Sequence, residues 1–270
     1  MIKGSVGSSR GDFFEGNANV RRMGLGEFAL LDAVRGVKAN ETMALLAEAI
    51  CLNNLGRARD AERCLVRAVE AEVDGALEVL TNVVSTTGDY PLVKQVLGEA
   101  IARNVPGAHR LLGVVLAESG DLPGALLEFG QALEDGDERT WLDRGVAFLE
   151  DGNLTAAAAD IEMALRGGDE KAHWAAGSLS LMRDERQAAL EHLSLAIHLG
   201  IDGVVPELAL AAAAVGDLEL VRALARDIAG DGELMTELVA CLEWYEDQFQ
   251  AEVDLIRGVV QRALGEGAGG

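Results

Sequence analysis

The stretch GDLPGALLEFGQAL, residues 120–133, decides the fold because versions of it return at a fixed interval. GDYPLVKQVLGEAI begins at Gly88, GNLTAAAADIEMAL at Gly152 and GDLELVRALARDI at Gly216. A looser copy, GRARDAERCLVRAV, begins at Gly56, and DERQAALEHLSLAI runs from Asp184. The starts form one ladder with 32 residues per rung. Glycine can take the left-handed conformation that ends a helix. The Asp or Asn after it can cap the next helix by accepting a backbone N–H. Pro91 and Pro123 fall in the first turn of that next helix, where a missing N–H costs little. Each rung therefore reads as the turn of a helical hairpin.

Both helices of the hairpin carry their own pattern. Five residues after each turn start come Ala61, Val93, Ala125, Ala157, Ala189 and Val221. Four further on come Leu65, Leu97, Phe129, Ile161, Leu193 and Ala225, and three more bring Ala68, Ala100, Ala132, Ala164, Ala196 and Ile228. This spacing gathers all three columns on one helical face. Gly136, Gly168, Gly200 and Gly232 are expected to end the second helices. In the first helices, seven residues before the turn, stand Ala49, Thr81, Gly113, Gly145, Gly177 and Ala209. A glycine inside a helix costs about 1 kcal/mol relative to alanine. Three at one phase imply a helix crossing too close for a larger side chain.

These residues resemble the tetratricopeptide repeat, whose pattern runs Trp-x2-Leu-Gly-x2-Tyr and then Ala-x3-Phe. HRLLGVVL, with His109, Leu112, Gly113 and Leu116, leads to Ala125 and Phe129. WLDRGVAF, with Trp141, Gly145 and Phe148, leads to Ala157 and Ile161, and HWAAGSLS, with His173 and Gly177, leads to Ala189 and Leu193. The match covers roughly residues 41–230, with decayed copies at Gly24 and around Trp244 and Gln248. The rung is shorter than the family's period of about 34 residues, and the late proline is missing. The resemblance implies an all-α fold, a right-handed α-solenoid of stacked helix-turn-helix hairpins. Residues 1–40 are expected to hold a degenerate capping repeat, residues 41–232 six repeats, and residues 233–270 capping helices with a short Gly-rich tail.

Composition agrees with a protein whose core grows by addition. Apolar residues make up 49% of 270 positions, aromatics only 4%, and there are four prolines. Asp and Glu number 45 against 23 Lys and Arg, for a net charge of −22. Such a surface repels phosphate backbones and anionic lipid, which speaks against nucleic-acid and membrane partners. The charge is uneven, with residues 1–40 at +2 and the rest at −24. Cys51, Cys64 and Cys241 are odd in number and form no CxxC, which points to buried thiols in a cytoplasmic protein rather than a disulfide framework. The N-terminus has no apolar run of signal-peptide length, and GVVPELALAAAAVG (203–216) is too short to span a bilayer.

No catalytic residue, cofactor or metal is expected. His109 and His173 occupy the repeat phase held by Trp141, so they read as packing positions, and His192 and His198 lie on different faces of one helix. No HExxH, Cys/His cluster or Gly-rich phosphate loop occurs. Acidic pairs such as Glu134–Asp135, Glu150–Asp151 and Glu246–Asp247 sit at expected helix ends and read as solvated surface.

In the family that the chain resembles, first helices line a concave groove. Carried over by position, the early hairpins present Asn53, Asn54, Asn82 and Ser85. The middle ones present Arg110, Val114, Arg139, Leu142, Val146, Leu149, Lys171, Trp174, Leu181 and Met182, and the last Leu210, Met235, Leu238, Leu242 and Tyr245. Of these, Asn53, Asn82, Arg110, Arg139, Lys171, Trp174, Leu181, Leu238 and Tyr245 are the candidate partner contacts. Glu118 and Glu150 are the neighbouring acids expected to pair with the cations if no partner does. The resemblance implies a scaffold or adaptor that holds a protein or peptide partner. The competing readings are a structural subunit that self-associates through its terminal hairpins, and an enzyme with an unusual groove site.

Overall fold

Left-handed backbone marks where each helix turns back. Gly56, Gly88, Gly120, Gly152 and Gly216 have φ of 72°, 74°, 85°, 79° and 83°, and Asp184 takes the same conformation at 58°. In the computed structural model, which describes residues 41–267 apart from 72, 74, 89 and 202, these residues close the first helices. The next residue closes the motif by donating five positions back, as in Asp121 N–H to Leu116 O (2.8 Å), Asn153 to Phe148 O (2.9 Å) and Asp217 to Ala212 O (2.9 Å). The same side chains then cap the following helix. Asp121, Asn153 and Asp217 accept from the amides of Gly124, Ala156 and Leu220 at 3.1, 3.3 and 3.0 Å.

The second helices end alike. Asn104, Gly136, Gly168 and Gly200 are left-handed, with φ of 55°, 87°, 81° and 78°. The next amide returns to the last alanine column: Val105 to Ala100 O, Asp137 to Ala132 O, Asp169 to Ala164 O and Ile201 to Ala196 O. Gly232 breaks the expected series. It opens a helix instead of ending one, because the chain turns earlier, at Gly230, and Asp231 accepts from the Leu234 amide at 3.3 Å. Only Gly230 and Asp231 link these helices, where residues 135–139 and 167–171 link earlier ones.

The described residues form fourteen helices and no strand. They are α1 (Glu41–Asn54), α2 (Ala58–Glu70), α3 (Ala76–Thr87), α4 (Tyr90–Ala102), α5 (Ala108–Glu118), α6 (Leu122–Glu134) and α7 (Thr140–Glu150). Then follow α8 (Leu154–Arg166), α9 (Ala172–Met182), α10 (Arg186–His198), α11 (Val205–Val215), α12 (Leu218–Ala229), α13 (Gly232–Tyr245) and α14 (Gln250–Gly267). The fold is all-α, with helices packed against their neighbours in the chain. The capping repeat expected in residues 1–40, Asp89, and the side chains of Asn54 and Ser85 lie outside the described set.

The chain divides into two compact units between Thr140 and Trp141. In the first, α1 to α6 pack each on the next around Leu52, Leu65, Leu80, Val93, Leu97 and Val115. In the second, α11 is the centre: α10, α12, α13 and α14 all pack against it, and α14 also returns onto α12.

The glycine phase has the predicted cause. A Cβ on Gly113 would stand 2.5 Å from Cδ1 of Phe129, and one on Gly177 2.5 Å from Cγ of Leu193. At Gly145 the nearest atom is Cγ1 of Ile161 at 3.0 Å. Ala49, Thr81 and Ala209 hold the same phase with exposures of 0%, 2% and 1%. Where the first helix gives up its side chain, the second supplies a large one.

Candidate functional site

The expected cations of the first unit meet two acids. Asp137 begins the turn Gly136-Asp137-Glu138-Arg139, and its Oδ1 accepts from the Arg139 amide at 3.3 Å. This Asx turn brings the Arg139 side chain back onto the same carboxylate, with Nε to Oδ1 at 2.9 Å and Nη2 to Oδ2 at 3.0 Å. Nη1 reaches Glu78 Oε1 on α3 at 3.2 Å. Arg110, one turn into α5, approaches both acids, 3.3 Å from Asp137 and 3.5 Å from Glu78. The group is an alternating quartet of two guanidiniums and two carboxylates.

Exposure separates the members. The side chains of Arg110 and Asp137 are 11% and 14% exposed, those of Glu78 and Arg139 36% and 59%. Burial works to raise the Asp137 pKa, but the Arg139 hydrogen bond and the charges of Arg110 and Arg139 outweigh it, so the carboxyl lies below its ordinary value. The Arg139 pKa is raised by Asp137 and Glu78, against a smaller effect of burial. Asp137 and Arg110 are thus the fixed inner pair. Glu78 is the outer acid that another carboxylate could replace on Arg139. Asp137 and Arg139 line a cleft of about 520 Å³ between the turns at 104–107 and 135–139, lined also by Asn104, Val105, His109 and Gln131. Glu78 and Asp137 are acids that meet these cations, and neither was singled out in the sequence.

In the second unit Lys171 repeats the turn geometry, its amide donating to Asp169 Oδ1 at 3.0 Å, and it is exposed. Asn53 and Asn82 are half-buried. Most apolar members of the expected wall are core residues, while Val114, Met182 and Met235 are half-buried. Trp174, Leu181, Leu238 and Tyr245 are 7%, 0%, 2% and 2% exposed, and Leu142, Val146, Leu149, Leu210 and Leu242 are buried with them. The reason is visible at α9. The turn between α13 and α14 lies across its end, where Gln248 Nε2 donates to Leu181 O at 3.0 Å. Tyr245 packs edge-on against Phe249, ring centres 6.2 Å apart. A partner has no side-chain surface to grip at these four positions.

A set of contacts not foreseen in the sequence joins the two helices of successive hairpins, two of them at a 19-residue offset. His109 Nδ1 lies 2.7 Å from Glu128 Oε2. In the next hairpin, Asp160 occupies the equivalent of Glu128. It is 5% exposed and takes two bonds from Arg144, Nε at 2.7 Å and Nη2 at 2.9 Å, while that guanidinium lies 5.0 Å from the Trp141 ring centre. In the third, His173 Nδ1 lies 3.1 Å from His192 Nδ1. Among the described residues no three or more His, Cys, Asp or Glu side chains are grouped to hold a metal ion. Among those residues no helix is long and apolar enough to cross a membrane.

No protein-family model matches the chain, and no curated protein matches it. A solved structure, a tetratricopeptide repeat protein from Parabacteroides merdae ATCC 43184, is similar at 14% identity and a TM-score of 0.45, over 83% of this chain and 98% of that one.

Proposed function

We propose that the chain is a protein-interaction scaffold whose first unit holds an acidic segment of a partner protein at Arg139. The observation that carries this reading is the Arg139 guanidinium. It is held in place from behind by Asp137, is 59% exposed, and stands at the mouth of a cleft. An arginine so oriented offers a carboxylate two parallel N–H donors, and the partner's acid would take over the place of Glu78. Arg110 adds charge from behind, and Val105 and Ile101 give an apolar neighbour a place to lie. Asn53, Asn82 and Lys171 are secondary contact candidates.

The test is capture of partners on immobilised protein, with Arg139→Glu beside the wild type. Loss of one or more captured proteins, with an unchanged melting temperature, supports the reading. Equal capture by the variant removes the cleft as the site.

A second reading, self-association through the last hairpin, is favoured by the exposed apolar residues Val239, Trp244 and Leu264, at 50%, 45% and 46%. Light scattering across a concentration series separates the two. A species that grows with concentration and is abolished by Trp244→Ser indicates assembly.

A further inference from the structure

We propose that His173 and His192 together form a chelating site for a divalent transition-metal ion of the zinc, nickel or copper class. The two imidazoles come from different helices, α9 and α10, and face each other Nδ1 to Nδ1 at 3.1 Å, with ring centres 5.4 Å apart and planes inclined by 31°. Two neutral imidazoles can share only one proton at such a contact. An ion bonded to both nitrogens takes the place of that proton. With metal–nitrogen bonds of about 2.0–2.1 Å, the observed separation corresponds to an N–M–N angle of about 100°. That angle lies between the tetrahedral and square-planar values; the two nitrogens face each other along the line of ring centres, so each ring turns by about 40° to aim its lone pair at the shared ion. Water completes the coordination.

The surroundings favour the ion. Both rings are only half-buried, so it can enter. Glu191, beside the pair, supplies negative charge, and the chain as a whole carries −22. Imidazole selects the zinc–copper group over hard cations such as Mg2+, which prefer oxygen. The equivalent pair in the first unit, His109 with Glu128, has one imidazole and a carboxylate partner, and serves as the internal control.

The experiment uses the full, untagged chain, stripped of metal and titrated with Zn2+ in calorimetry, with imidazole 1H–15N shifts recorded in parallel. The chain has four histidines, so each can be followed. The expected result is one equivalent of Zn2+ bound in the presence of excess Mg2+. The shifts of His173 and His192 should move together. Binding should be lost in His173→Asn and in His192→Asn and kept in His109→Asn and His198→Asn. The proposal is overturned if the wild type binds no Zn2+, if Mg2+ abolishes binding, or if binding survives either pair variant. Should a pair variant fail to fold, the wild-type shifts decide: Zn2+ binding that leaves His173 or His192 unmoved also overturns the site.

Discussion

The hairpin Ala108–Glu134 and the hairpin Ala172–His198 have one frame and two chemistries. Each closes on a left-handed residue, Gly120 or Asp184, and each crosses at a glycine facing a large side chain, Gly113 on Phe129 and Gly177 on Leu193. On that frame the helix-to-helix polar pair is His with Glu in the first and His with His in the second. One residue further on, Arg110 joins a charged quartet at a cleft, whereas its counterpart Trp174 is buried. The backbone frame is set by small residues at the crossing and special residues at the turn. The polar pair and its neighbour are free to change because neither takes part in closing the turn or the crossing.

The comparison is tested hardest at Trp174. As a core residue its replacement in Trp174→Ala should cost about 3–5 kcal/mol in denaturant unfolding, chiefly through the cavity left behind. A loss below about 1 kcal/mol would return Trp174 to the surface and erase the contrast with Arg110.

The shared frame is tested next. Gly113→Leu and Gly177→Leu should each lose about 3 kcal/mol or more, since the added atoms meet a ring and a branched carbon rather than the end of a flexible chain. Gly145→Ala, with its nearest contact at 3.0 Å, should cost about 1 kcal/mol or less, and part of that is returned by helix propensity. Equal tolerance of leucine at the three sites would break the frame argument.

The differing chemistry should show in pH profiles. His192 lies below its ordinary pKa of 6.5 in the native state, through burial first and His173 second. Between 6.5 and the lowered value the unfolded chain binds more protons, so stability falls as pH falls through that window. His192→Asn should flatten the slope there. Asp137 is lowered from 3.8, so its contribution is present above 3.8 and is lost as pH falls through the native value. Asp137→Asn should therefore act only at the acid end. Urea unfolding at a series of pH values reads both, and a variant that changes the wrong window refutes its assignment.

The smallest effect belongs to an ordinary surface pair. Glu162 and Arg166 on α8 are 61% and 67% exposed, and Glu162→Ala should change stability by less than about 0.5 kcal/mol. A larger change in thermal melts would mean that this face is covered.

The turns and the crossings were legible in the sequence because single residues enforce them. A left-handed position and a missing side chain leave glycine, Asn or Asp at fixed places, and the phase of Gly113, Gly145 and Gly177 marks close crossings without naming the side chains they face. Gly232 was misplaced because Gly230, Asp231 and Gly232 offer two turn signals, and the chain takes the one whose aspartate can cap α13. The inner wall was less legible. A consensus position tells which face a residue occupies, but not what later covers it, and Gln248 laid across the end of α9 comes from 66 residues beyond Met182. The cross-helix pairs were missed because columns were compared with themselves. The 19-residue offset joining 109 to 128 and 173 to 192 was the available signal.

The central place of α11 has a consequence for motion. Residues Pro206 to Ala213 are all buried, on every side of the helix, and Arg186 of α10 is joined to Glu252 of α14 at 3.1 Å around it. No side of α11 can open to solvent without lifting another helix away. Its backbone amides should be the slowest in the second unit to exchange with deuterium, close to the rate set by unfolding of the whole unit, while those of the half-covered helices exchange through smaller local openings.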